Sequence, residues 1–161
     1  MSYSEDMINV EQRLLDMTIE LPRVPKPIAN FIPWKRQGNI IYLSGQICEW
    51  NGEVIYQGKV GSNIDLEQAQ DAARICALNL IAALRQALDN DLNRVQSCIR
   101  VGGFVHCAPD FQSVPHVING ASDLFHTLFG SKVGGHARTA IGVAQLPQGA
   151  SVEVDAFFAV A

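Results

Sequence analysis

Residues 65–91 leave the chain little choice of architecture. Asp65 followed by Gln68 three positions later is the pattern of a capping box, in which side chains and backbone donors at a helix start satisfy one another. Ala69, Ala73, Cys76, Leu80 and Leu84 then recur at steps of three and four, which predicts a long helix with one continuous apolar stripe. Asp89-Asn90-Asp91 ends it. A stripe of that length has to be buried against another element, and the sequence on both sides of it reads as strand.

Before the helix, Gln37-Gly38-Asn39 is turn chemistry between the apolar runs Phe31-Ile32 and Ile40-Ile41-Tyr42-Leu43, the second of which ends in Ser44-Gly45-Gln46. Asn51-Gly52 marks another tight turn leading to Val54-Ile55-Tyr56. After the helix, Val95 to Cys107 is a strand whose central Gly102-Gly103 requires either a bulge or a close backbone approach. Asp110 can cap a second helix that runs through about Leu128 and stops at Gly130, with Pro115 leaving its first turn open. Two closing strands follow. At the other end, Ser4 to about Glu20 reads as a short helix capped by Ser4, and Pro22, Pro25 and Pro27 make a stiff connector. The order β-β-β-α-β-α-β-β gives an α+β domain with its helices on one face of a sheet. Tight turns between the early strands exclude a purely parallel one. We expect one domain over residues 1–161, with residues 1–27 as an N-terminal helix and proline-rich connector.

The net charge of −4, with no block of Lys or Arg, argues against a broad phosphate-binding surface and so against nucleic acid as partner. Hydrophobic residues outnumber charged ones, 48% to 17%, so we expect buried interfaces between copies. No apolar run reaches the ~20 residues of a membrane span, and Met1 to Asp6 is acidic where a signal peptide is basic; the expected location is the cytoplasm. Cys48, Cys76, Cys98 and Cys107 form no C-x-x-C pair and read as reduced structural thiols. Gly58-Lys59 is followed by Val60, which rules out a phosphate-binding loop, and Ser44-Gly45 lacks the upstream glycine of a nucleophile elbow. His106, His116, His126 and His136 show no metal-ligand spacing, so we expect no metal.

What remains is Arg138, alone in a run of Thr, Ala, Ile, Gly and Val, followed by Glu153 and Asp155 in a run of Val and Phe. Charges in strand-like apolar sequence cost free energy unless something pairs with them or uses them. Arg138 can grip a carboxylate with its planar fork, and it can equally form an ion pair across strands or subunits. A plain hairpin between the closing strands would put Arg138 opposite about Phe158, roughly 17 Å from Glu153. A shared site therefore needs another strand order or a second subunit.

Ala137-Arg138-Thr139, Val143, Leu146-Pro147 and Val152-Glu153-Val154-Asp155, with Ser44-Gly45-Gln46 upstream, resemble the RidA family, also called YjgF or endoribonuclease L-PSP, in its longer branch. Phe104-Val105 through Asp110-Phe111 and the position of Asn119 are similar to it too, and the likeness covers roughly Ile28 to Val160. The resemblance implies a chorismate-mutase-like fold whose last strand inserts between earlier ones, and a homotrimer with three clefts between subunits. It implies hydrolysis of reactive enamines and imines, such as 2-aminoacrylate, to 2-keto acids and ammonia, without cofactor. Arg138 then holds the substrate carboxylate and Glu153 orients or activates water. Ser44 and Gly45 contact the ligand, and Phe104, Asn119 and the Ala140 carbonyl belong to the binding set. Phe31 stands where deaminating members carry a tyrosine, and Ala140 where they carry a cysteine. Three functions are therefore open: an enamine/imine deaminase, a non-catalytic binder of small carboxylates or 2-keto acids, and, least favoured by the charge, a ribonuclease.

Overall fold

The computed structural model describes residues 8–161. The expected cap Ser4 lies outside them; the first helix, α1, is Val10–Asp16, capped by the Asn9 side chain, which accepts from the Gln12 N–H. It docks through buried Val10 and Leu14 and through Glu11, which pairs with Arg85 at 3.0 Å and accepts from the Leu92 N–H at 2.9 Å.

Strands β1 (Trp34–Gln37) and β2 (Ile40–Ile47) form a hairpin around Gly38-Asn39. The turn lies where the sequence puts it, but Phe31-Ile32 is not strand: Pro33 has no N–H to give a ladder, and pairing starts only at Trp34. β3 (Glu49–Trp50) and β4 (Glu53–Val54) form a second, two-stranded sheet around Asn51-Gly52, both at positive φ. Helix α2 (Leu66–Ala87) carries the complete Asp65/Gln68 capping box. β5 (Val95–His106) is followed by α3 (Val114–Gly134), then β6 (Ala137–Val143) and β7 (Val152–Val160).

The start of α3 corrects the expectation at Asp110. The N-cap position is Ser113, which puts Pro115 at the second helical residue, where its missing N–H would have no intrahelical partner anyway. A start at Asp110 would have set the proline deeper, against an earlier carbonyl. At Gly130 the helix breaks as expected, with φ 83°, and one more turn runs to Gly134.

The large sheet has the order β1-β2-β7-β5-β6. The last strand lies between β2 and β5, antiparallel to both, while β5 and β6 are parallel. No hairpin joins β6 to β7. Helices α2 and α3 cover one face, with Phe125 and Phe129 each packing on Phe158 at 5.7 Å between ring centroids. Along β7 the alternation is strict: Val152, Val154, Ala156, Phe158 and Val160 are buried under the helices, and Glu153, Asp155, Phe157 and Ala159 turn to the other face.

Gly102 and Gly103 mark close approaches and not a bulge. A Cβ at Gly102 would run into the Asp155 carboxylate, and one at Gly103 into Ile118 of α3. The register shifts of β5 lie nearer its start, between Val95 and Ser97 and between Cys98 and Arg100. Cys48, Cys76 and Cys98 are buried free thiols, with Cys107 half-buried; burial pushes the Cys98 thiol up to about 12, far from reactive thiolate chemistry.

Candidate functional site

The site residues read from the sequence fall into two groups on opposite faces of the sheet. Arg138 pairs in register with Val101 and Glu153 with Phe104, so β5 separates them. Their backbones are offset by roughly 10 Å along the strands and about 10 Å across them. The sheet itself stands between the two side chains.

The Glu153 group is built on a β-bulge. Leu43 pairs with Ala156 and Gln46 with Val154, so three steps along β2 answer two along β7, and the extra residue falls at Ser44-Gly45. The Ser44 hydroxyl donates to the Ile32 carbonyl at 2.5 Å and its N–H to the Pro33 carbonyl at 3.0 Å, which ties the bulge to the segment carrying Phe31. The absence of a side chain at Gly45 lets Glu153 lie against the backbone there: a Cβ at Gly45 would sit 2.8 Å from Glu153 Oε2. These residues line a pocket of about 440 Å³ together with Phe31, Pro33, Gln148 and a wall formed by Pro25, Lys26, Pro27, Ile28 and Ala29. The proline-rich connector is thus part of the pocket, which its composition alone did not reveal. Burial raises the Glu153 carboxyl above its ordinary value, and the neighbouring Asp155 carboxylate adds to the shift. Phe104 is directly opposite Glu153 on the same face, half-buried.

The Arg138 group lies on the helical face, at the outer strand of the sheet. Arg138 Nη1 donates to Asn119 Oδ1 at 2.8 Å and Ser122 Oγ at 3.2 Å, and Nη2 donates to the Pro115 carbonyl at 3.1 Å. Three of five donors are therefore held by α3. The Nε–H and one Nη2–H have no partner among the described residues, which leaves a two-donor fork of the kind that grips a carboxylate. Asn119, expected to touch ligand, accepts a hydrogen bond from the arginine through Oδ1. Ala140 follows two residues along the same face, opposite Gly103.

Two residues escaped the sequence reading. Ser122 Oγ lies 2.8 Å from His136 Nε2, and His136 Nδ1 lies 2.6 Å from the Gly134 carbonyl. His136 stands just ahead of β6, two residues before Arg138, and both side chains reach Ser122; that spacing was the available signal. Asp155, on the Glu153 face, has one buried carboxylate oxygen without a hydrogen-bond partner.

A sequence profile described as "YjgF/chorismate mutase-like, putative endoribonuclease" matches residues 11–159. The chain is 40% identical over 147 residues to Protein TCP17 of Trypanosoma cruzi, covering 91% of each. It is 25% identical over 137 residues to a 2-iminobutanoate/2-iminopropanoate deaminase of Dermatophagoides farinae, covering 85% of this chain and 91% of the relative. Among solved structures, the protein Atu1372 of Agrobacterium tumefaciens superposes with a TM-score of 0.86 at 39% identity, covering 94% of this chain and 92% of that one.

Proposed function

This chain belongs to the YjgF/RidA family, and from that premise we propose that it hydrolyses small 2-imino acids to 2-keto acids and ammonia. The reaction takes place between copies of a homotrimer, where Arg138 of one copy faces Glu153 of the next. The separation of the two groups within a single chain is the reason for placing the site at a subunit boundary. The imine deaminase relative supports the reaction class.

The observation that carries the reading is the Glu153 carboxylate, seated against the Gly45 backbone in a pocket of molecular size, with its pKa raised by burial. A carboxyl shifted upward is a better match for proton exchange near neutral pH than an exposed glutamate. The substrate carboxylate takes the two open donors of Arg138. Glu153 removes a proton from water as the water oxygen attacks the imine carbon, the C=N electron pair moves to nitrogen, and Glu153 passes that proton to the nitrogen. Glu153 then takes the carbinolamine hydroxyl proton as C=O forms and C–N breaks, and hands it to the departing nitrogen, which leaves as ammonia. An imine is already electrophilic, so positioning and one acid–base group suffice.

Freshly generated 2-aminoacrylate or 2-iminobutanoate tests the reading. Keto-acid release above the spontaneous rate is expected for the unaltered protein, falling at least about 100-fold in both Arg138→Ala and Glu153→Gln. Unchanged rates in either variant sink the mechanism. A second reading rests on Phe31: it lines the pocket with no hydroxyl to hold a water, which favours carboxylate binding without turnover. Calorimetry with 2-ketobutyrate separates the two, since the binder keeps affinity that depends on Arg138 and shows no acceleration.

A further inference from the structure

Arg138 is useful as an anchor only if its fork points outward and stays there, and a guanidinium at the end of a flexible stem does not do so unaided. We propose that Ser122 and His136 are positioning residues: they form a hydrogen-bonded chain, ending on a backbone carbonyl, that fixes Arg138 with its Nε–H and remaining Nη2–H open to a carboxylate. This rests on the reading of Arg138 as the carboxylate anchor.

The direction of every hydrogen in the chain follows from the one group with no choice. The Gly134 carbonyl can only accept, so His136 Nδ1, 2.6 Å away, carries the proton. In a neutral imidazole Nε2 is then an acceptor, and the Ser122 hydroxyl 2.8 Å from it donates there. With its one hydrogen spent on His136, Ser122 presents only lone pairs to Arg138 Nη1 at 3.2 Å. Asn119 Oδ1 takes the other Nη1 hydrogen at 2.8 Å and the Pro115 carbonyl takes one from Nη2 at 3.1 Å. The arginine is gripped along one side by three acceptors that are all fixed to α3.

Protonation of His136 would reverse the middle of the chain: Nε2 would donate to Ser122, whose own hydrogen would lose its acceptor. The titratable and charged groups facing the ring are His126 on α3, with ring centroids 5.4 Å apart, and Arg138 on β6. Both oppose a second positive charge, and with burial, the largest cause, they outweigh the Gly134 hydrogen bond, so the pKa is lowered. The neutral ring that the geometry requires is therefore the form present at neutral pH.

The test uses the full assembled chain, with particle size checked by light scattering and 2-ketobutyrate as probe. We expect Ser122→Ala to weaken binding about tenfold, as for a lost hydrogen bond to a charged group. His136→Phe, which keeps a ring beside Phe125, should weaken it about fivefold. His136→Gln, whose side-chain carbonyl oxygen can accept from Ser122, should stay within about twofold of wild type. A purely structural role would not be rescued by glutamine in this way. Loss of binding in Arg138→Ala with unchanged affinity in both Ser122→Ala and His136→Phe overturns the proposal and spares the anchor. Unchanged affinity in Arg138→Ala overturns both. The unaltered protein gives an independent measurement: nitrogen-15 NMR should find neutral His136 protonated on Nδ1, and a proton on Nε2 instead overturns the chain of donors.

Discussion

At the scale of single residues, the chemistry depends on what glycine and burial permit. Gly45 lets a carboxylate lie against backbone, and the half-buried setting then raises the pKa of Glu153, with Asp155 adding to it. The same shift has a sign for stability. A carboxyl whose folded-state pKa lies above its unfolded value favours the folded state fully at pH below that unfolded value. That contribution is lost as pH rises through the folded pKa. Glu153→Gln should therefore melt higher than the wild type above that transition and lose its advantage in acid; a difference in Tm that does not change with pH would contradict the assignment. Arg138 and Glu153 were visible in the sequence because a lone charge among Val, Ala and Phe is conspicuous. Ser122 and His136 were not, because a serine within a helix and a histidine entering a strand look ordinary until α3 is folded over β6.

At the scale of elements, local chemistry was legible where it is self-contained. The Asp65/Gln68 box and the Gly38-Asn39 and Asn51-Gly52 turns need only their own neighbours, and each stands where the residues put it. Phe31-Ile32 failed as strand and Asp110 as cap because a proline nearby decided the matter in each case. The strand order was not legible from local pattern at all: apolar alternation in β7 says that one face is buried, not which strands flank it. It came from the family resemblance. Where α2 and α3 cross, Gly120 is the contact point, since a Cβ there would run into the Gln70 carbonyl. Gly120→Ala should cost about 1–3 kcal/mol by overpacking, measured by urea denaturation. A neutral or stabilising effect would mean that the helices separate more easily than this packing implies.

For the whole molecule, the question is what covers the face opposite the helices. Ile141 and Tyr42 are 46% and 42% exposed there, and the Tyr42 ring packs tilted against Phe157 at 4.9 Å between ring centroids. Apolar side chains grouped beside Glu153 and Asp155 are what an interface between copies would bury. Ile141→Glu is therefore expected to shift light-scattering mass toward the monomer and, with the proposed site shared between copies, to weaken 2-ketobutyrate binding at least about tenfold. A variant that stays assembled and binds normally would place the interface elsewhere.

The central position of β7 also reaches back to the birth of the chain. Val152–Val160 bridges β2 and β5, yet it leaves the ribosome after the other four strands of the large sheet. Until it emerges, β2 and β5 each present an open edge that no earlier strand is placed to close. The molecule gains little by folding as it is made, and a pause in translation just before Val152 leaves two unpaired strand edges for other chains to occupy.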